Sequence, residues 1–162
     1  MKGDIIIYRP TGIIGKLIQF ISKDEFIHVA MFISNDKIIE ATWRGIEISK
    51  FKLDKGIEIY SYTMDEYKRE LLIQTAISKK NKKYDYPLLF TIMGEKWFKL
   101  RAYDSKEAFI CSEFIRDVYN EIGIEIHEKN NPTPQELRDN LFKLAKDITS
   151  DVSIFSYSKV IV

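Results

Sequence analysis

Between residues 27 and 62 the chain carries four short segments rich in β-branched and aromatic residues, "IHVAMFI", "KIIEATW", "GIEISKF" and "GIEIYSY", parted by turn chemistry at "SNDK", "WRG" and "LDKG". This pattern predicts four strands following one another as a meander, hence antiparallel. Upstream, "DIIIYR" is a compact apolar run that reads as a buried strand. The segment after it, "TGIIGKLIQFISKD", puts Ile13, Ile14, Leu17, Ile18 and Ile21 on one helical face. Helical patterns then dominate. "MDEYKRELLIQTAISKKN" carries Tyr67, Leu71, Ile73, Gln74 and Ile77 between charges, with Thr63 or Asp65 as its cap. "EAFICSEFIRDVYNEIG" predicts a helix of about three turns stopped by Gly123. In "NPTPQELRDNLFKLAKD", Thr133 is the N-cap, Pro134 the first helical residue and Glu136 the closing member of a capping box. The aromatic stretch "KYDYPLLFTIMGEKWFKLRAY" supports only a short helix over residues 88–93, and "VSIFSYSKVIV" predicts a last strand at a sheet edge. The resulting fold class is α+β.

A chain of 162 residues fits one domain, residues 1–162, large enough to bury its own core. Its 25 basic and 24 acidic side chains leave a net charge of +1, which excludes a strong electrostatic footprint for nucleic acid or anionic membrane. A single cysteine forms no internal disulfide, and the N-terminus meets Asp4 and Pro10 where a secretory signal needs an uninterrupted apolar run. No segment is long and apolar enough to span a bilayer, so the expected compartment is the cytoplasm. No cofactor is expected: one cysteine, two separated histidines and the absence of HExxH or CxxC spacing leave no zinc signature. "GIIGK" lacks the spacing of a phosphate-binding loop.

The one cysteine, Cys111, stands where a helix begins, just before the periodic run Phe114, Ile115, Val118, Ile122. A lone cysteine is commonly a small buried hydrophobe; at a helix start it is also a candidate nucleophile, because the unpaired amides and dipole there favour the thiolate. A nucleophile needs a base. His127 lies in the polar stretch "EIHEKNNPT", where a solvated ring is expected, whereas His28 opens the apolar strand "IHVAMFI" and is either hydrogen-bonded structure or a base. A catalytic imidazole needs an acceptor for its other nitrogen. Pairing "HVAMFIS" with "KIIEAT" through the intervening turn sets Ala41 and Thr42 opposite His28 and Glu40 within a residue or two. Glu40 is then either that acceptor or a strand glutamate paired with Lys37 or Arg44. Glu113, in the first turn of the cysteine helix, reads as a surface acid favoured by the dipole.

Taken together, "GDIIIYRP", "IHVAMFI" with "IIEAT", "YDY", "FICSEFI" and "TPQEL" resemble the successive motifs of the YaeF/YiiX permuted papain-like amidase family, the circularly permuted branch of the NlpC-type cysteine hydrolases. The resemblance covers residues 3 to about 140 and matches the family's order of histidine, acidic residue, then cysteine. It implies a papain-like fold, a central antiparallel sheet flanked by helices, and cysteine-dependent cleavage of an amide or related acyl bond. By position it makes Cys111 the nucleophile, His28 the general base and acid, Glu40 the orienting residue, and Tyr8 a residue lining the site and helping the Cys111 amide hold the oxyanion. The implied partner is a small-molecule, peptide or lipid-like acyl substrate. Related lecithin:retinol acyltransferase-like proteins leave a lipid-directed thioesterase or acyltransferase open, as does a catalytically silent binding module.

Overall fold

Three isoleucines in a row have no solvent face to offer, and Ile5, Ile6 and Ile7 are all fully buried in β1, Ile5–Tyr8, an internal strand of the main sheet. The computed structural model describes residues 2–9, 24–42, 44–53, 56–80, 83–84, 108–109, 111–146 and 155–160. The helix expected over residues 11–24, its last residue apart, and that expected over 88–93 lie outside these residues. β2 (His28–Phe32), β3 (Lys37–Thr42) and β4 (Gly45–Lys50) follow as neighbours on one side of β1. β5 (Ile57–Tyr62) and β8 (Phe155–Val160) lie on the other, giving a six-stranded, wholly antiparallel sheet in the order β4-β3-β2-β1-β5-β8. β6 (Lys83–Tyr84) and β7 (Ala108–Phe109) form a separate parallel pair.

The expected meander therefore holds for β2 to β4 and fails at β5. Instead of pairing with β4, β5 crosses back to β1, with Ile5 opposite Tyr60 and Tyr8 opposite Ile57. The physical reason is that a strand buried on both faces must also have its backbone groups paired on both edges, and β1 receives β2 on one edge and β5 on the other. The last strand does sit at an edge, beside β5.

The alternation of side chains divides the sheet into two faces. Ile5, Ile7, Val29, Met31, Ile39, Ala41 and Tyr60 belong to the main core, together with Phe114, Ile115, Val118 and Tyr119 of α2 (Cys111–Glu121) and Leu137 and Leu141 of α3 (Pro134–Lys146). The opposite face carries a smaller cluster of Ile6, Ala30, Phe32, Ile38 and Ile57.

Helix ends follow local chemistry. Asp65 caps α1 (Glu66–Ser78) by accepting from the Lys68 amide at 2.7 Å. The buried stripe of α1 is Leu72, Ile73 and Ala76, while Tyr67 is 79% exposed and Leu71 and Ile77 are partly exposed, so the apolar residues of this segment wrap around the helix instead of marking one face. α2 stops in a Schellman turn: Gly123, at φ +79°, donates to Asn120 O at 2.9 Å and Ile124 to Tyr119 O at 3.0 Å. α3 begins with the reciprocal capping box, Glu136 N to Thr133 Oγ1 at 3.2 Å and Thr133 N to the Glu136 carboxylate at 2.7 Å. Among the described residues no helix is long and apolar enough to cross a membrane.

Candidate active site

His28 opens β2 directly opposite Tyr8, the last residue of β1, and their rings lie 5.7 Å apart. The chain enters this position through a fixed segment. Gln135 of α3 accepts from the amides of Glu25 and Phe26 at 3.0 and 3.2 Å, and Ile27 donates to Tyr8 O at 3.1 Å. Phe26, fully buried, has the guanidinium of Arg9 at 4.8 Å and that of Arg138 at 5.0 Å over its ring. Arg138 is itself held by Glu58 on β5. The backbone leading to His28 is thus tied to the sheet and to α3 before the strand begins.

Register brings Glu40 to the ring. Ala30 pairs with Glu40, so Glu40 lies two residues along from His28 on the same face, and its Oε2 meets His28 Nε2 at 2.8 Å. Neither Lys37 nor Arg44 takes Glu40: Lys37 stands opposite Lys50, and Arg44 pairs with Glu47 at 3.1 Å. The second carboxylate oxygen, Oε1, accepts from the hydroxyl of Ser49 on β4. Ser49 was not among the residues the sequence singled out. Its signal was the two-residue alternation in "GIEISK", which puts Glu47 and Ser49 on one side of β4, and the register that turns that side toward Glu40.

Cys111 is the first residue of α2 and is buried against β2. Its thiol neighbours the His28 ring, and each of the two groups favours the charged form of the other. The backbone amides of Val29 and Ser112 also favour the ionised sulfur. Burial opposes the charge of all three groups, yet each is shifted toward its charged form. For His28, the hydrogen bonds to Cys111 and Glu40 and their negative charge outweigh burial and push the pKa up from 6.5 to about 10. Cys111 is held below the ordinary thiol value despite burial, through the hydrogen bond and charge of His28 and the two amides. Glu40 is likewise lowered against burial, by His28 and then by Ser49. His28 and Glu40 thus favour the ionised thiol, with the positive end of α2 beside the sulfur.

The remaining expected positions fall elsewhere. His127 lies beyond the end of α2, where its Nδ1 accepts from the Lys129 amide at 2.9 Å. Glu113, expected at the surface, is buried, because the whole first turn of α2, from Cys111 to Ile115, is covered. Tyr8 borders His28 as the strand pairing dictates.

No family model matches the sequence, and no curated protein matches it. Among solved structures, the chain is similar to the metalloprotein YiiX from Escherichia coli O157:H7, described as DUF1105, with a TM-score of 0.61 and 17% identity over 100% of this chain and 98% of that one. At this identity the likeness is one of fold: an α+β domain built on an antiparallel sheet with helices. Metal binding is stated of YiiX; in this chain, among the described residues, no group of three or more His, Cys, Asp or Glu side chains converges so as to hold a metal ion.

Proposed function

We propose that the protein is a cysteine hydrolase with a circularly permuted papain-like, NlpC-type fold, cleaving an amide bond of a peptide or amino-acid conjugate through a covalent acyl-enzyme. The observation that carries this reading is the helix-start thiol of Cys111 beside the His28 ring, whose Nε2 is held by Glu40 at 2.8 Å, an arrangement which a buried structural cysteine has no need of. The Cys111 thiolate attacks the carbonyl carbon, and the oxyanion that forms is held by the Cys111 amide with help from Tyr8. His28 Nδ1–H gives its proton to the leaving nitrogen as the C–N bond breaks, leaving a thioester on Cys111. The now neutral ring takes a proton from water, the hydroxide adds to the thioester, and collapse returns the thiolate and releases the acid. Glu40 keeps Nε2 protonated and stabilises the imidazolium throughout.

The test is incubation with matched panels of acyl amides and long-chain acyl esters, with acid quenching and mass measurement of the protein. The reading predicts an acyl adduct on Cys111 and amide turnover, both absent in Cys111→Ala. Turnover of the esters alone would make the protein a lipid-directed acyl hydrolase or transferase, and failure of both panels would favour a silent binding module.

A further inference from the structure

Glu40 and Glu47 are paired directly across β3 and β4, so two carboxylates occupy one face of the sheet next to the imidazole. Side by side and unguided, they would repel, and Glu40 would have two equivalent oxygens to offer. The structure separates their roles. Glu47 is taken by Thr42 Oγ1 at 2.8 Å and Arg44 Nε at 3.1 Å. Glu40 is taken by Ser49 on Oε1 and by His28 on Oε2, so each of its oxygens has one partner and the plane of the carboxylate is fixed by both.

We propose that Ser49 is a positioning residue of this site, a fourth member of the array that acts through Glu40 to set the orientation of His28. This rests on the reading of Cys111 and His28 as a working pair. Ser49 lies two pairs along the ladder from Glu40's own partner, Glu47, opposite Ile38, and donates diagonally to Oε1. The hydroxyl can only donate to an ionised carboxylate, so it favours the charged Glu40 that holds Nε2–H. Among the described residues the titratable and charged groups around this carboxylate are His28 on β2, Glu47 on β4, Arg44 beside Glu47, Tyr8 beside His28, and Cys111 of α2 beyond the ring. Of these, only His28 contacts Glu40 directly in the hydrogen bonds described above. Without the serine, Oε1 loses its hydrogen-bond donor and the carboxylate is free to turn away from the ring.

The experiment is the pH dependence of Cys111 alkylation by iodoacetamide in the parent, Ser49→Ala and Ser49→Thr. Loss of one charge-assisted hydrogen bond predicts that Ser49→Ala moves the acidic limb upward by about half to one pH unit, a roughly threefold to tenfold slower reaction at fixed pH on that limb. Ser49→Thr, which retains a hydroxyl at the same carbon, brings the limb back toward the parent, a rescue that a merely space-filling role would not produce. A Ser49→Ala profile lying on that of the parent overturns the inference alone. A parent whose thiol titrates as an ordinary one overturns the Cys111–His28 pair, and this inference with it.

Discussion

Glu58 provides the sharpest test of how the site is held. Its side chain is 1% exposed, and it accepts from Arg138 Nε at 2.7 Å, Arg138 Nη2 at 3.1 Å and the Tyr60 hydroxyl at 2.9 Å, with Arg9 at 4.0 Å. Glu58→Ala removes the carboxylate that accepts from both the Arg138 guanidinium and the Tyr60 hydroxyl. Breaking a fully buried ion pair costs about 3–5 kcal/mol. Arg138 is 18% exposed and keeps Asp139 at 3.3 Å and the ring of Phe142 at 4.4 Å, so the expected loss is lower, about 2–4 kcal/mol. Urea unfolding followed by circular dichroism reads this directly. With a slope of about 2 kcal/mol/M, the midpoint should fall by about 1–2 M. The double variant Glu58→Leu, Arg138→Met removes both charges and fills similar volume, and should recover most of the loss. A single-variant loss below about 0.5 kcal/mol, or a double variant as unstable as the sum of its two single changes, would refute the argument from stranded charge.

The pH dependence of stability follows from the same site. His28 keeps its proton to a higher pH in the folded protein than in the unfolded chain, so its contribution is complete below 6.5 and is lost as pH rises through about 10. The stability difference between the parent and His28→Ala, measured by urea unfolding, should shrink over that window. Glu40 has the opposite sign: its contribution is present above 4.5 and is lost as pH falls through its lowered folded value, so Glu40→Gln should flatten the acid side. Tyr119, fully buried, donates its hydroxyl to Gly3 O, tying α2 to the start of β1, and Tyr119→Phe should cost about 1–2 kcal/mol in the same assay by leaving that carbonyl unpaired.

Much of this architecture was written locally. The capping box at Thr133 and Glu136 and the stop at Gly123 depend on residues within one helical turn, and both formed as their sequence chemistry dictates. The His28–Glu40 contact was legible because the hairpin turn between β2 and β3 sets the register over a few residues. What was not legible depends on contacts far apart in the chain. The return of β5 to β1 requires knowing that β1 has two edges to satisfy, and the burial of Glu58 requires Arg138, 80 residues on. α1 misled for a different reason: its apolar residues surround the helix, and only packing on α2 and the sheet selects Leu72, Ile73 and Ala76. Ser49 was hidden because its partner, Glu40, lies across a second hairpin whose register had to be right as well.

In the proposed chemistry His28 activates the thiol of Cys111. The most direct measurement is the rate of Cys111 alkylation by iodoacetamide as a function of pH, in the parent protein and in His28→Ala. The expected result is a parent thiol that reacts well below the ordinary value of about 8.5 and a variant that loses this advantage. Two profiles that both titrate near 8.5 would contradict it.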